Sequence, residues 1–590
     1  MHRKWFINRT NPEYIQYISK AASISPVLAQ IMINRGIKTA DEINNFLYPS
    51  SSVLSDPFEL PDMKLAVERI KAALAHNERV LVHGDYDADG LTATAIMVHS
   101  LKKIGLDVEY FIPNRMVHGY GFNPPSVDIA KKLGVKLIIT VDCGITSFDA
   151  ATCAGKEGID VIITDHHEPF RQKPAPPTHP SPSRGEGKGG GESFVSDFLL
   201  PEAVAVVNPK IDNRQSTINN LSGAGIAFKI AQALAAESGL HFSMDDSLSL
   251  LDLAALGTIA DVVPLTGENR FILKEGMKYI HSAERPGIRS LKKMAGIEDR
   301  EVKSGTLAFS LIPRINAAGR IAESSDVVEL LITDSDDRAD EIALWLNGLN
   351  SERQQIEGGI FQEVMGRLNT KDISSVIVLA SEIWHQGVIG IVASRVAEQF
   401  YRPVVIFSIE DGIAKGSARS IPSFDICNAF SDCSEMLIGF GGHRQAAGVR
   451  LEAERLGSFE KKLCSLFDSA GDIELTPSLK IDAYINLSDI SFRLIKELAM
   501  LDPLGCGNPE PLLASKMLEV SSCRIVGNNH LKMKLSHKSR YIDAIGFDMG
   551  GQIENLELSG SIDAVFTPAV NEWNGGRYLQ LILKALRPSA

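Results

Sequence analysis

Alternating carboxylates after a short apolar run near residue 80 are the side chains of this sequence best suited to chemistry. Asp85, Asp87 and Asp89 are each separated by one residue. The spacing fits positions 1, 3 and 5 of an EF-hand calcium loop, but position 12 is Ile96 instead of Glu. The residues before the cluster also predict a buried strand, not a helix. The cluster is therefore interpreted as a strand-end loop that gathers hard divalent cations.

Further acidic and histidine side chains follow three later apolar runs. They are Asp142, the triplet Asp165-His166-His167, and Asp261. A single Asp in such a position, taken alone, is typical of a helix N-cap or a turn. Four separate acidic or histidine strand ends in one region instead predict a site for two Mg²⁺ or Mn²⁺ ions about 4 Å apart. Such a pair can activate water for phosphodiester hydrolysis.

The elements that must position these residues alternate between strand and helix. Short β-rich runs are predicted at Arg79–His83, Val108–Ile112, Lys136–Asp142, Asp160–Thr164 and Ala203–Val207, with helices between them. This alternation predicts a doubly wound, mostly parallel sheet, which holds its ligands at the carboxyl ends of the strands.

The length of 590 residues exceeds what one core can hold. We predict a helical N-terminal lead-in (1–55), a catalytic α/β domain (56–324), a connecting helix (325–370), a second α/β lobe (371–467) and a strand-rich C-terminal domain (475–590). The last is interpreted as an OB-like β-barrel. Residues 171–192 are rich in Pro and Gly and predict a disordered surface insert.

The composition, 44% hydrophobic and 23% charged, is that of an ordinary soluble globular protein. A net charge of −13 argues against a protein that coats nucleic acid by bulk electrostatics, but not against a nucleic-acid enzyme with a basic groove. No run of eighteen apolar residues occurs, so no membrane span is expected. Seven cysteines without a CxxC pair favour a reducing cytoplasm.

A second group of residues is suited to holding phosphate. The run Gly441-Gly442-His443 lets backbone N–H groups approach an anion, although a glycine turn that serves packing is the alternative. Arg419 and Ser417 can clamp a phosphate through charge-assisted hydrogen bonds, and Arg320 is a further candidate.

Basic and aromatic residues near the C-terminus suggest a surface for single strands. Lys532 and Lys534 are predicted to share one face of a strand, and Trp573 can stack on a base. The alternative is a solvated strand and an ordinary hairpin turn.

Several motifs resemble those of a known family. The sequence is similar to the DHH phosphoesterase superfamily, named for the triplet at residues 165–167, and within it to the RecJ family of bacterial single-stranded-DNA-specific exonucleases. The resemblance spans nearly the whole chain, with the insert at 171–192 as the main departure. The other motifs that carry it are His118-Gly119-Tyr120-Gly121, Gly223-Ala224-Gly225, Pro313–Arg320, Gly416–Ser420, Phe440–His443 and Pro503–Pro511.

The resemblance implies a two-lobed core, in which a DHH lobe and a DHHA1 lobe are joined by a long helix and followed by the barrel. The metal ligands that it implies are Asp85, Asp87, Asp142, His166 and Asp261. Asp142 would bridge both ions and His167 would touch the scissile phosphate, while His83 is a further candidate at the metal site. Asp89 and Asp165 would support the loop or orient an imidazole. The DHHA1 lobe would close on the DHH lobe and hold the 5′ end of a strand.

The expected function is therefore metal-dependent 5′-to-3′ hydrolysis of single-stranded DNA, in DNA repair and recombination. We expect a cytoplasmic monomer, and the family likeness implies that it associates with single-stranded-DNA-binding protein. One alternative is a DHH phosphatase or phosphodiesterase acting on nanoRNA or small nucleotides, which is expected to be shorter and to lack the barrel. The other alternative is a non-catalytic DNA-binding relative, against which the intact carboxylates speak.

Overall fold

The structure, a computed structural model, describes residues 3–8, 10–114, 121–171, 198–211, 217–368, 373–471, 473–552 and 561–589. The chain forms two compact units. One comprises Tyr48–Leu349 and Asp502–Pro509, and the other comprises Met1–Leu47, Asn350–Leu501 and Glu510–Ala590. Apart from Arg171, the predicted insert at residues 171–192 lies outside the described residues, and so do the first three residues of the motif at 118–121.

The first elements of the chain are β1 (Lys4–Ile7), α1 (Pro12–Ala21), α2 (Pro26–Asn34) and α3 (Ala40–Leu47). The predicted helical lead-in thus also contains a strand. This strand forms because it pairs in parallel with a segment near residue 480, with Trp5 opposite Leu479. Local periodicity cannot reveal a partner from the other end of the chain.

The region that carries the first carboxylates alternates helices and strands. Its elements are α4 (Met63–Ala75), β2 (Arg79–His83), α5 (Ala88–Lys103), β3 (Asp107–Phe111), α6 (Pro124–Lys132), β4 (Leu137–Val141), α7 (Phe148–Lys156), β5 (Asp160–Thr164), β6 (Phe170–Arg171), β7 (Phe198–Leu199), β8 (Ala205–Val207), α8 (Gly223–Ala236), α9 (Met244–Leu248), α10 (Leu251–Ala260), α11 (Gly267–Ser282), α12 (Pro286–Ala295), α13 (Ser304–Thr306), α14 (Ile312–Ile321) and α15 (Ser325–Ile332).

Five of these strands form a sheet in the order β3-β2-β4-β5-β8, and every neighbouring pair is parallel. The sheet is buried on both faces. Val80 and Val82 of β2 pack into one core, and Leu81 between them packs into the other. Strands covered on both sides need apolar residues at successive positions, which explains the unbroken runs in the sequence. The predicted parallel sheet is confirmed, and its carboxyl ends share one edge.

Helix α16 (Asp336–Leu368) leads to a second α/β lobe. The elements of this lobe are β9 (Ile377–Ser381), α17 (Ile389–Phe400), β10 (Val404–Glu410), β11 (Ile413–Arg419), α18 (Ile426–Ser431), β12 (Gly439–His443), β13 (Ala446–Glu452) and α19 (Leu456–Ser469). The sheet order is β12-β13-β11-β10-β9; β9 and β10 are parallel, and the other pairs are antiparallel.

The C-terminal elements are β14 (Ser478–Ile481), β15 (Ala483–Tyr484), α20 (Phe492–Ala499), β16 (Leu513–Val526), β17 (His530–His537), β18 (Arg540–Gly546), β19 (Ile562–Trp573) and β20 (Gly576–Pro588). Strands β16-β17-β18-β20-β19 close into a five-stranded barrel because β16 also pairs with β19. The predicted OB-like barrel is confirmed. Within the described ranges, no helix has the length and apolar character needed to cross a membrane.

Candidate metal centre

The first carboxylates lie where β2 meets α5. Asp87 is the N-cap of α5, and its side chain accepts hydrogen bonds from the backbone N–H groups of Asp89 and Gly90, both at 3.1 Å. Asp85 is buried, and its Oδ1 accepts from the N–H of Tyr86 at 2.8 Å. A Cβ added at Gly90 would lie 2.7 Å from the Cβ of Asp85. Glycine at that position therefore lets the helix start against the carboxylate.

Asp142 follows β4 in the left-handed region, at φ 60. Asp is among the few non-glycine residues that tolerate this conformation. The start of α8 lies directly against it, since a Cβ on Gly223 would approach its Oδ1 to 2.6 Å. Only a residue without a side chain fits between them. The sequence showed Gly223 as part of a family motif but gave no sign of this contact.

The two histidines of the triplet after β5 have different partners. Asp165 Oδ1 accepts from the N–H groups of His166 and His167 and lies 2.7 Å from Nδ1 of His167. His166 turns to the carboxylates: its Nε2 lies 3.0 Å from Asp142 Oδ1, and its Nδ1 lies 3.4 Å from Asp261 Oδ2. Asp165 therefore orients His167, and His166 faces the acidic cluster.

Asp261 corrects one step of the sequence interpretation. The sequence predicts that Asp261 follows a strand, but the apolar run before it forms helix α10 (Leu251–Ala260), and Asp261 is the C-cap of that helix. A run that is apolar on all sides fits a buried helix as well as a buried strand, so periodicity alone could not separate them. The tertiary structure nevertheless brings Asp261 to the other carboxylates.

Among the described residues, the donor atoms form three groups, each with atoms within 4.8 Å of one another. The groups are Asp85, Asp87 and Asp142; then Asp142, His166 and His167; and then Asp89, His166 and Asp261. Asp142 and His166 each belong to two groups. Asp89 also contacts the start of helix α8: its two oxygens accept the N–H groups of Gly223 and Ala224 at 2.7 and 2.9 Å.

The electrostatics of the cluster fit a cation. Burial, followed by repulsion from Asp87, raises the pKa of Asp85 to about 8 and that of Asp89 to about 7. Burial and repulsion from Asp89 raise the pKa of Asp261 to about 8 and also raise that of Asp142 well above its usual value. His166 Nε2 lies 3.0 Å from the buried Oδ1 of Asp142 but outside hydrogen-bond geometry, so this oxygen accepts no hydrogen bond from the described residues. Desolvated carboxylates with an open acceptor are what a divalent ion satisfies.

The pKa shift of His167 favours its charged form, unlike the pKa shifts of the buried carboxylates. Burial alone would lower its pKa, but the hydrogen bond and charge of Asp165 raise it to about 9. Burial would raise the pKa of Asp165, yet its hydrogen bonds with His167 lower it to about 2. His167 is therefore a cation at neutral pH, held by a carboxylate and 35% exposed at its side chain.

His83 lies apart from the three ligand groups formed by the described residues. Its ring is fully buried between Phe111 and Phe122, with centroids at 5.6 and 5.3 Å. Its Nε2 lies 2.9 Å from Ser126 Oγ, and its Nδ1 lies 3.7 Å from Cys143 Sγ.

Helix α14 supports the first loop, a role that the sequence did not suggest. Asn316 Oδ1 accepts from the N–H of Ala88 at 2.8 Å. A Cβ on Gly319 would collide with the carbonyl oxygen of Tyr86. Both residues belong to the motif Pro313–Arg320, so the motif itself was the available signal. Arg320, at the end of the same helix, belongs to the unit of the metal centre.

The other phosphate candidates come together in the second lobe, on the β12-β13-β11 part of its sheet. Gly448 of β13 pairs with both Gly441 and Ser417, and Ala446 pairs with both His443 and Arg419. The two motifs thus lie on shared rungs of one sheet. Arg419 Nη1 lies 3.3 Å from Ser417 Oγ.

Helix α17 begins beside these side chains. A Cβ on Gly390 would come within 2.9 Å of Ser417 Oγ and 3.5 Å of an Arg419 nitrogen. A helix N-terminus next to an arginine and a hydroxyl favours an anion. Sequence reasoning missed Gly390.

On the barrel, Lys532 and Lys534 do share one face of β17. Lys532 lies opposite Arg524, and Lys534 Nζ lies 5.6 Å from the ring centroid of Tyr541. Trp573 is 66% exposed at the turn between β19 and β20. Strand β19 pairs with β16 and β20, so Trp573 lies on a separate strand from the two lysines.

Three family models match the chain. They are the DHH family N-terminal domain over residues 79–187, the DHHA1 domain over residues 373–469 and the RecJ OB domain over residues 481–585. The fold and the acidic centre thus define a DHH-type protein that carries a DHHA1 domain and an OB barrel.

Comparison with individual proteins identifies the family within this class. The single-stranded-DNA-specific exonuclease RecJ of Bacillus subtilis (strain 168) is 36% identical over 587 residues, covering 98% of this chain and 70% of that relative. RecJ of Escherichia coli (strain K12) is 32% identical over 589 residues, covering 96% of each chain. The crystal structure of RecJ in complex with Mn²⁺ from Thermus thermophilus matches with a TM-score of 0.82 at 30% identity, covering 100% of this chain and 80% of that one. This chain belongs to the RecJ family.

Proposed function

We propose that this protein is a metal-dependent exonuclease that hydrolyses single-stranded DNA from its 5′ end and acts in DNA repair and recombination. The convergence of carboxylate and imidazole donors around Asp142 carries the proposal. Family membership supports it, since relatives over nearly the whole chain are named single-stranded-DNA-specific exonucleases. The matching structure from Thermus thermophilus contains Mn²⁺.

The proposed ligands of two ions, Mn²⁺ or Mg²⁺, are Asp85, Asp87, Asp142, His166 and Asp261. Asp142 and His166 each belong to two of the three donor groups, but only the carboxylate has two oxygens to share, so Asp142 is proposed as the residue that would contact both ions. When bound, such ions supply an activated water and neutralise charge on the phosphodiester. We leave His83 outside the ligand set because Ser126 engages its Nε2.

His167 is proposed to bind the scissile phosphate. Asp165 fixes the orientation of its ring and favours its protonated form. A cationic donor held in this way can neutralise an oxygen of the phosphodiester without reorienting during the reaction. Asp89, whose oxygens hold the first N–H groups of α8, positions the loop between β2 and α5.

The sheet of the second lobe is proposed to hold a phosphate of the DNA. Ser417, Arg419 and His443 supply side-chain donors, and Gly441 and Gly442 let the backbone come close. Arg320 is proposed as a further phosphate contact in the unit of the metal centre. The barrel face with Lys532 and Lys534 is proposed to follow the strand, with Trp573 as a separate stacking residue.

Digestion of end-labelled DNA tests the proposal. Wild-type protein with Mn²⁺ should release mononucleotides from the 5′ end of single-stranded DNA, and it should leave the blunt duplex and the metal-free reaction without product. Asp142→Asn is the control, since it keeps the size of the side chain and removes its charge. Release from the 3′ end, or near wild-type turnover by Asp142→Asn, would contradict the proposal. A preference for dinucleotides over long DNA would instead favour the small-substrate phosphodiesterase.

We also propose that the protein is a cytoplasmic monomer that associates with single-stranded-DNA-binding protein. Family likeness supports the association, and seven free thiols fit a reducing compartment. Light scattering after size-exclusion chromatography, with and without the binding protein, tests both the monomer and the complex.

A further inference from the structure

Asp261 is followed by a turn in an unusual conformation. Val262 has φ 58, in the left-handed region that β-branched residues rarely enter. Such a conformation persists only where the surrounding structure over-determines it. The Val262 side chain is 67% exposed, so its own packing does not hold the turn. The restraint must come from residues on either side.

The restraint on the C-terminal side is a pair of hydrogen bonds. The carbonyl of Pro264 accepts from Asn269 Nδ2 at 3.0 Å. The N–H of Leu265 donates to the carbonyl of Cys506 at 2.8 Å. The second bond comes from the segment Asp502–Pro509, which we call the 502–509 loop. This loop belongs to the same compact unit as Asp261, although the residues on both sides of it belong to the other unit.

The 502–509 loop is closed on itself and shaped to fit the turn. Gly505 and Asn508 exchange two backbone hydrogen bonds, at 2.9 and 3.1 Å. The buried Asn508 side chain donates to the carbonyl of Pro503 at 2.6 Å. Gly507 has φ 70, and a Cβ there would lie 3.3 Å from the Cβ of Pro264.

The loop is also anchored to the helix that follows the turn. Arg270, buried on α11, donates to the carbonyls of Asp502 and Pro503 at 3.1 and 3.3 Å. Ser304 Oγ donates to Asp502 Oδ1 at 3.1 Å and accepts the N–H of Leu504 at 3.0 Å. Because α11 starts directly after the turn, loop and turn share one rigid support.

We propose that the 502–509 loop is a positioning element that holds Asp261 at the metal centre by fixing the backbone of residues 262–265. This inference rests on the proposed role of Asp261 as a metal ligand. It assigns Gly507 and Asn508 a function in metal binding, although neither belongs to the ligand groups. Groups that orient metal ligands typically change metal affinity about ten- to a hundredfold when they are altered.

Gly507→Ala and Asn508→Ala test the proposal when Mn²⁺ binding is measured by calorimetry well below the unfolding temperature. Gly296→Ala is the matched control: Gly296 lies in the same unit, also has a left-handed φ (65), and has no atom within 4 Å of an added Cβ. Asp261→Ala tests the underlying ligand assignment. We expect Gly507→Ala and Asn508→Ala to bind Mn²⁺ about tenfold or more weakly, as Asp261→Ala does, and Gly296→Ala to bind as wild type does.

The outcomes distinguish a failure of the ligand assignment from a failure of the positioning role. Wild-type affinity in Asp261→Ala would overturn the ligand assignment and this inference with it. Weak binding by Asp261→Ala together with wild-type affinity in Gly507→Ala and Asn508→Ala would overturn the positioning role alone. Equal losses in Gly507→Ala and Gly296→Ala would show a general destabilisation and would also overturn it.

A measurement on the unaltered protein covers the case in which the loop variants fail to fold. Coupling between sites is reciprocal, so Mn²⁺ binding should slow hydrogen exchange at the amide of Leu265 and in the 502–509 loop. Unchanged exchange there, with slower exchange near Asp85, would overturn the proposal.

Discussion

Release of protons on metal binding is a direct consequence of the buried carboxylates. The pKa values of Asp85 and Asp261 are raised to about 8, and the pKa of Asp142 is raised well above its usual value. At about pH 7 a group with a pKa of about 8 is roughly nine-tenths protonated. Metal ligation requires the deprotonated form. Saturation with Mn²⁺ should therefore release roughly one to three protons from the three carboxyl groups. The number should be about one if the metal-free cluster holds a single proton that its carboxylates share.

The same shifts set the direction of the pH dependence. Between about pH 4 and 8 the folded, metal-free protein binds protons that the unfolded chain has lost, so these groups make its stability fall as pH rises. The apparent affinity for Mn²⁺ should rise in that window, by about tenfold, or 1.4 kcal/mol, per pH unit for each proton released. Above about pH 8 the contributions of Asp85 and Asp261 to this rise should level off.

Calorimetric titration with Mn²⁺ in two buffers of different ionisation enthalpy measures the number of protons at about pH 7. Asp85→Asn, which keeps the shape of the side chain but has no proton to lose, should release about one proton fewer than wild type. Identical heats in the two buffers, together with tight Mn²⁺ binding, would refute the reasoning. That result would mean that the carboxylates are already ionised in the metal-free protein.

Three further predictions concern other parts of the chain. Arg419→Ala should weaken binding of a 5′-phosphorylated strand about ten- to a hundredfold, because one charge-assisted hydrogen bond is lost. Arg450→Ala, on the neighbouring strand β13, should bind as wild type does. Binding titrations with 5′-phosphorylated and 5′-hydroxyl single strands check this. Gly319→Ala should lower turnover at least about tenfold by displacing the loop at Tyr86, whereas Gly348→Ala, with no atom within 4 Å of its added Cβ, should match wild type in the same assay. Replacement of residues 173–191 by a short Gly/Ser link should keep nuclease rates within about a few-fold of wild type, because loop-closure cost grows slowly with length; lost activity in a folded variant would contradict this.

The local pattern of the sequence was sufficient to predict that the candidate residues at the ends of β2, β4 and β5 lie at one edge of a sheet. Unbroken apolar runs predict buried parallel strands, and strands that run in the same direction have their carboxyl ends at the same edge of the sheet. Asp85, Asp142 and His166 therefore had to lie near each other. The motifs of the second lobe were likewise visible, and their placement on shared rungs of one sheet followed from strand pairing.

What only the tertiary structure decided is how distant segments approach this edge. Asp261 comes from a helix, not a strand, and a uniformly apolar run cannot distinguish the two. Gly223 and Gly319 are required where backbones meet Asp142 and Tyr86, and Cys506 reaches Leu265 from a segment more than two hundred residues away in the chain. Local propensity acts over a few residues, whereas close approach depends on the packing of the whole unit. The sequence by itself therefore determined which side chains are the candidates for the chemistry, and packing determined which glycines and carbonyls lie against them.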